Sequence, residues 1–491
     1  MKLYDIISNL KFVGIKNYRE IDIDALTFNS KEKLNNGMFF CIKGLNQDGH
    51  DYAIESLSNG SLCLVVERYL DINVTQILVE NARVAMSYIA SIFYSTYKSK
   101  MKFIGITGTN GKTTTCFVMR EILQKLGKSV GLIGTEGIFI NNLMLPPMLT
   151  TPDPIALHKT IHEMELNGCE YCLMEVSAHA IALNKIDNIY YDVVGLTNIT
   201  QDHLDFFVNM ENYVKCKLSL FNFTHAKVGV VNLDNKYCKD LIKKAGIKIV
   251  SFGKDAEYKI DEIKQTFKGT ELSFHNSTHN YKFTTNLLGE YNAYNMLMAI
   301  ICLNQLGFDI NDLIKTIKLI DFIVPGRFNM LKIDAKFNVV VDYAHTPDGF
   351  KNILSTLKKQ NINRLITVFG CGGNRDKSKR KEMGTIAGQL SDIVVVTTDN
   401  PRNENPEMII DDILENPYIE KFIRIVDRKN AIEHALNLAN ENDVVAILGK
   451  GNENYQEIKG VKIPFSDYDV VDEYFKRKQT DSFIVNGKTK K

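Results

Sequence analysis

The sequence predicts an α/β protein of three domains: a central phosphate-binding unit with a mainly parallel sheet, a smaller α/β unit before it and a Rossmann-like α/β unit after it. Three observations carry that prediction. A chain of 491 residues exceeds what one hydrophobic core organises, and its length points to about three domains. Short apolar runs alternate with helix-length stretches whose apolar residues recur three and four apart, the order that builds parallel sheets. One stretch, Gly105-Ile-Thr-Gly-Thr-Asn-Gly-Lys-Thr-Thr-Thr115, is a glycine-rich turn set between such a strand and such a helix.

Residues 1–99 read as the first unit. Strands are expected at 61–66 and 76–79 and a helix over 82–97, with polar, glycine-rich loops at 29–40 and 43–51. A boundary falls within 97–102. The central unit, 100–328, opens on the apolar run 101–106, and a helix is expected from near Thr113. A turn in this position aims backbone N–H groups and the positive end of the helix dipole at one spot, which suits a polyphosphate. Lys112 can neutralise phosphate oxygens, and the Thr113 hydroxyl can ligate magnesium. The general pattern would put its first glycine at Ile106; here the glycines stand at Gly105 and Gly108.

Residues 170–176 are apolar up to Glu175, and 192–198 run into Gln201-Asp-His-Leu-Asp205. Ligand crevices of open α/β sheets lie beyond the C-terminal strand ends, so Glu175 and His203 are expected on the side where the phosphate loop opens. Residues 258–285 read as a small antiparallel insertion. A helix then begins near Glu290, with Asn292 and Asn295 on one face.

The third unit, 329–491, has strand candidates at 337–341, 365–369, 393–397, 422–426 and 444–448. The loops after four of them, at 342–348, 370–376, 399–402 and 449–453, are charged or glycine-rich and are expected to meet on one rim. Cys169-x-x-Cys172 has redox spacing, but Cys172 falls inside an apolar strand, so both thiols are expected buried and inert. His158 and His162 lack the zinc-protease order and read as a solvated helix face. Gly370-Cys-Gly-Gly-Asn-Arg does not complete a dinucleotide fingerprint.

Composition narrows the function. Forty-five per cent hydrophobic and 24% charged residues describe an ordinary globular protein, and a net charge of +1 gives no support for a nucleic-acid partner. Apolar runs fall far short of the ~20 residues of a membrane span, so no membrane insertion is expected. The segment from Met1 lacks a signal core with a cleavage site. Nine scattered cysteines point to free thiols in a reducing cytoplasm. No oligomer is implied, and the chain ends in a polar tail, 476–491.

Several of these motifs together resemble the Mur ligases, the ATP-dependent amide-forming enzymes of peptidoglycan precursor synthesis. They are Gly-Thr-Asn-Gly-Lys-Thr at 108–113, Asp-His-Leu-Asp at 202–205, Gly-Glu-Tyr-Asn-Ala-Tyr-Asn at 289–295, Pro-Gly-Arg-Phe at 325–328 and Asp-Tyr-Ala-His-Thr-Pro-Asp at 342–348. The resemblance runs in the family's order from about residue 27 to 468. It implies an N-terminal UDP-sugar domain, a central ATPase and a C-terminal amino-acid domain. Asn29-Ser-Lys, Asp48-Gly-His-Asp51 and Thr150-Thr151-Pro152 resemble the branch that acts on UDP-N-acetylmuramoyl-L-alanyl-D-glutamate.

By this resemblance Gly108, Thr109, Asn110, Gly111, Lys112, Thr113 and Thr114 hold the triphosphate, with Asn295, Arg327 and Asp342 completing the ATP site. Thr113, Glu175 and His203 would ligate magnesium. Lys217 matches the lysine that is carbamylated in the family, where the new anion helps hold a second cation. Ser30, Thr150, Thr151, Ser177 and Lys185 would contact the muramoyl substrate. The family often has Ser at 178, Arg at 185 and His at 452, where this chain has Ala178, Lys185 and Asn452. The loop Asp399-Asn400-Pro-Arg402 resembles the form that goes with meso-2,6-diaminopimelate rather than lysine, and Arg375, Gly449 and Glu453 would complete that pocket.

The implied chemistry follows from a poor leaving group. A carboxylate must first take the γ-phosphoryl group, giving an acyl phosphate that an amine can attack. Folylpolyglutamate synthase shares a similar ATPase core but lacks the N-terminal sugar domain. A P-loop protein using ATP only as a switch would leave the four-loop rim unexplained.

Overall fold

The computed structural model describes every residue except 45–46, 147, 267–268 and 489–491; two residues of the 43–51 loop and the end of the polar tail thus lie outside the described residues. Each of three α/β domains is built on its own sheet. In the first, Gly14–Lys16, Thr75–Leu78, Ser61–Val66, Gly37–Phe40 and Ala25–Thr27 lie side by side, all parallel except the first pair. Helix Ala82–Phe93 begins where the Asn81 side chain accepts from the amides of Arg83 and Val84. Its stripe of Ala82, Ala85, Met86 and Ile89 packs on Met38, Phe40, Cys63 and Val65. The helix ends before residue 97: Ser95 takes a left-handed φ of 58° and a 3-10 turn, Thr96–Lys98, follows.

The central sheet has eleven strands. Lys102–Thr107 lies between Tyr171–Glu175 and Tyr191–Leu196, and the parallel block extends to Val130–Gly134 on one side and through Ala226–Asn232 and Lys248–Gly253 on the other. Ile104 and Ile106 face the layer of helices Lys112–Lys125 and Glu290–Gln305, while Phe103 faces Pro154–Leu166, the alternation a doubly covered strand requires. Residues 258–285 are not a separate insertion. Tyr258–Thr266 pairs parallel with Lys248–Gly253, and Gly269–His275 and Asn280–Thr285 then add antiparallel at the edge. The reason is burial: Tyr258, Ile260, Leu272, Phe274 and Phe283 turn onto the core under Glu290–Gln305.

His158 also departs from expectation. It is fully buried, with Nδ1 2.7 Å from the Thr96 hydroxyl, where its helix packs on the end of the N-terminal domain. Burial pushes its pKa down to about 3; a neutral imidazole with one strong partner is tolerated where a charged ring is not. Cys169 and Cys172 are buried and free, and burial pushes both thiols up.

In the third domain the order is Asn329–Met330, Asn338–Asp342, Val444–Leu448, Leu365–Phe369, Ile393–Val396 and Phe422–Arg424, parallel after the first pair. Helices Pro347–Lys358, Ser378–Leu390 and Pro406–Leu414 cover one face, and Arg428–Leu438 with the start of Asp467–Lys488 covers the other. A hairpin, Tyr455–Ile458 with Val461–Pro464, follows the last parallel strand and was not foreseen.

Candidate active site around the phosphate loop

The loop after Lys102–Thr107 is held by residues that follow the neighbouring strand. The Asn198 carbonyl accepts from the Thr109 amide at 2.9 Å, Asn198 Oδ1 from the Asn110 amide at 3.0 Å, and the Thr197 hydroxyl donates to the Asn110 carbonyl at 2.6 Å. Gly108 and Gly111, not Gly105, are the glycines the loop needs. They have φ of +143° and +89°, and a Cβ would lie 1.9 Å from Thr197 Oγ1 or 2.3 Å from Asn295 Oδ1. Lys112 Nζ donates to the carbonyls of Gly108 and Thr109, and burial lowers its pKa.

Glu175, fully buried at its strand's end, organises the floor. Its Oε2 accepts from the hydroxyls of Thr113 at 2.8 Å and Thr135 at 3.2 Å, and its Oε1 from the Thr135 amide at 2.9 Å. Its carbonyl accepts from the Thr151 hydroxyl, which also meets Ser177 Oγ at 3.3 Å; Thr150 and Thr135 hydroxyls lie 3.1 Å apart. Thr113, Thr150, Glu175, Ser177, His203, Asn295, Arg327 and Asp342 line one cavity of about 620 Å³. A carboxylate beside a hydroxyl offers hard oxygen donors to a cation such as magnesium, which uses few protein ligands and shares phosphate oxygens. Among the described residues no group of three or more His, Cys, Asp or Glu is placed to hold a metal ion.

His203 adopts a left-handed φ of 55° and faces Asp202 at 3.3 Å. Burial holds the ring below the usual histidine range, with Asp202 pulling the other way. Lys217 is 1% exposed. Its Nζ donates to the same Gly108 carbonyl as Lys112, at 2.9 Å, and burial first, then the Lys112 charge, pushes its pKa well below the ordinary value. That shift favours the neutral amine, the form that adds carbon dioxide.

The C-terminal rim reaches this loop. Asn110 Nδ2 donates to Asp348 at 3.0 Å, and Gln201 Nε2 donates to Asp376 at 3.2 Å and Ser378 at 3.0 Å. Asp342 accepts from the Phe328 and Ala344 amides, and burial raises its pKa. Asn400 Nδ2 donates to Glu453 at 2.9 Å, and the fully buried Lys450 donates to both residues. Gly449, with φ +111°, passes so close to Asp399 that a Cβ would lie 2.9 Å from its Oδ2. Arg402 is already engaged: Nε lies 3.1 Å from Glu457 Oε2, and Nη1 donates to the Gly373 carbonyl at 2.8 Å.

Arg375 is exposed, its Nη1 on the Asn374 carbonyl, and it lies beside Arg402: a Cβ at Gly372 would meet Arg402 Nη1 at 3.0 Å and Arg375 Cγ at 3.9 Å. Other expected residues stand apart. Lys185 is buried and ion-paired with Asp153 at 2.9 Å. Ser30 lies in the N-terminal domain, where it donates to Glu55, and it does not line the cavity. Residues 48–51 form a structural turn in which Asp48 bonds His50 and Arg68. Sequence reasoning missed Thr135, Glu136, Lys450 and Glu457. Lys450 carried a signal, a lysine between two glycines of a rim loop; the others carried none.

Two family models match the chain: the Mur ligase middle domain over residues 106–303 and the Mur ligase glutamate ligase domain over residues 326–451. A UDP-N-acetylmuramoyl-L-alanyl-D-glutamate--2,6-diaminopimelate ligase from Aquifex aeolicus is 41% identical, covering 92% of this chain and 93% of its own. One of the same name from Clostridium acetobutylicum is 39% identical over 97% and 99%. A solved structure of a ligase of that name superposes with a TM-score of 0.66 at 29% identity, covering 93% of this chain and 95% of that one. A folylpolyglutamate synthase from Mycobacterium tuberculosis shares the fold at 17% identity and a TM-score of 0.63, but covers only 74% of this chain and 92% of its own.

Proposed function

The chain belongs to the Mur ligase family, and on that premise we propose that it joins meso-2,6-diaminopimelate to UDP-N-acetylmuramoyl-L-alanyl-D-glutamate. The reaction is coupled to cleavage of ATP to ADP and phosphate and belongs to peptidoglycan precursor synthesis. The observation that carries the reading is a juxtaposition: the loop bearing Lys112 and Thr113 lies against Glu175, Thr150 and Ser177 on one side and against the amino-acid rim, through Asn110 and Asp348, on the other.

In the mechanism we assign, Thr109–Thr114 and Lys112 cradle the triphosphate, and Asn295, Arg327 and Asp342 complete its site. Thr150, Thr151 and Ser177 orient the glutamate carboxylate toward the γ-phosphorus. That carboxylate attacks, the γ-phosphoryl group moves onto it, and ADP leaves. The amine of diaminopimelate, having lost its proton, then attacks the acyl carbon, and phosphate departs as the amide forms. Holding both reactants in one crevice supplies much of the second step, so no side-chain nucleophile is required. Thr113, Glu175 and His203 would hold magnesium, whose charge would offset that developing on the phosphoryl oxygens; Lys217, once carbamylated, would present an anion that helps hold a second cation. The N-terminal domain, with Ser30, takes the UDP-sugar, and the C-terminal domain takes the amino acid. No described helix is long and apolar enough to cross a membrane, and we place the reaction in the cytoplasm, where its nucleotide substrates are.

Phosphate release by purified protein, with and without the UDP-muramoyl-dipeptide and diaminopimelate, tests the reading. Release that needs both substrates, with a tripeptide product by mass spectrometry, is expected. Release indifferent to both would mark an ATP-driven switch instead.

A further inference from the structure

One buried carboxylate near the cavity has no part in the mechanism above. Glu136, 7% exposed, sits at the turn between Val130–Gly134 and Gly137–Ile140 of the central sheet. Its Oε1 lies 3.2 Å from Arg327 Nη1, in the linker to the C-terminal domain. Its Oε2 accepts from Asn452 Nδ2 at 3.2 Å, in the loop that carries Gly449 and Glu453. Arg327 reaches onward: Nη2 donates to the Thr113 hydroxyl at 3.3 Å, and the guanidinium lies 4.4 Å over the Tyr343 ring. The Tyr343 hydroxyl in turn donates to Glu453 at 3.4 Å. Linker and loop are in close contact, since a Cβ at Gly326 would meet the Asn452 amide nitrogen at 2.5 Å.

Two oxygens of one carboxylate thus hold partners from two other segments of the chain. A buried ion pair is weak evidence of stability in itself, but this one is complete only when the C-terminal loop lies on the central domain. We propose that Glu136 is a positioning residue that clasps the Gly449–Glu453 loop to Arg327, making capture of the incoming amino acid depend on the state of the phosphate loop. The inference rests on the ligase reading for its substrate, though not for the clasp itself.

Asn452→Ala is the cleanest test, because Asn452 is exposed and its loss does not threaten the fold. Asn452→Ala and Glu136→Ala should each raise the diaminopimelate KM by about ten-fold, the scale of one charge-assisted hydrogen bond. Each should leave kcat and the affinity for a fluorescent nucleotide within about two-fold. Glu136→Gln, which keeps an acceptor for Asn452 but drops the ion pair, should fall between. The double variant should be no worse than the worse single one, since both cut the same clasp. An unchanged KM in Asn452→Ala, or effects that multiply in the double variant, overturns the proposal. If the wild-type protein forms no product at all, the ligase reading fails separately. Hydrogen exchange then decides: nucleotide should slow exchange of the 449–453 amides in the wild type and not in Asn452→Ala, and equal protection in both refutes the clasp.

Discussion

Discrimination between diaminopimelate and lysine is the sharpest expectation, and the Arg402 geometry sets its size. The two amino acids differ at the far end, where only diaminopimelate carries a carboxylate. Were Arg402 left buried and bare by lysine, the penalty would be ~2–5 kcal/mol. The structure argues for less. Arg402 keeps Glu457 at 3.1 Å and the Gly373 carbonyl at 2.8 Å whichever amino acid binds, and its side chain is 20% exposed. What lysine forfeits is about one charged hydrogen bond, ~1.5–3 kcal/mol, a preference of roughly ten-fold to 150-fold. Competition assays with purified protein, UDP-muramoyl-dipeptide, ATP and both amino acids measure it as a ratio of kcat/KM. Arg402→Ala should shrink the ratio to within about three-fold, the loss of most of that bond. Glu457→Gln should widen it, because the guanidinium loses its competing carboxylate and keeps only the Gly373 carbonyl beside the ligand. Lanthionine, with the same two heads, should be a poorer but detectable substrate. Lysine used as well as diaminopimelate by the wild type, or a ratio untouched by Arg402→Ala, would refute the reasoning.

Other expectations follow from the buried groups. Lys217→Ala should lose nearly all product formation, and bicarbonate with a short carboxylic acid should restore part of it; near-normal turnover without additives would exclude a role for the lysine. Because burial depresses the Lys217 pKa, the unfolded chain binds its proton first as pH falls, and the native state loses stability from the unfolded value near 10.4 downward. Lys217→Met should therefore raise the thermal midpoint at pH 7 while abolishing activity. Lys112→Ala and Glu175→Ala should keep native circular dichroism yet form product at least about a hundred-fold more slowly, the scale of a lost charge-stabilising group; a rate near wild type in either rules out its assigned part. His158, neutral in the fold with a pKa of about 3 against 6.5, costs stability as pH drops below 6.5, by up to ~1.4 kcal/mol per unit. Thermal melts should show a shallower decline from pH 6.5 to 5 for His158→Gln than for the wild type; parallel declines would mean the ring is not the cause.

Much of the fold was legible because its signals are local. Strands such as Ser61–Val66, Leu365–Phe369 and Val444–Leu448 announce themselves by short apolar runs. Glu175 and His203 could be placed beside the phosphate loop from strand polarity alone. What escaped depends on distance along the chain. Glu136 meets Asn452, 316 residues away, and Glu457 meets Arg402 only because an unforeseen hairpin folds back over the rim. His158 has the polarity of a surface residue and the surroundings of a core one, since its helix face is covered by another domain. The 258–285 segment reads as a small antiparallel insertion because its alternation is that of any antiparallel unit, and alternation does not say which core its inner face joins.

The order of strands in the central sheet has a consequence for how the protein is made. Lys102–Thr107 leaves the ribosome before either of its sheet neighbours, and the second of them, Tyr191–Leu196, is followed by Thr197 and Asn198, which shape the phosphate loop. A nascent chain halted short of residue 198 carries Lys112 but not the cradle around it. Nucleotide therefore cannot guide the earliest folding of this domain; long-range parallel pairing, which is slow to form, has to come first. Arrested chains ending at 190 should ignore ATP–agarose, whereas chains released after the Glu290–Gln305 helix should be retained.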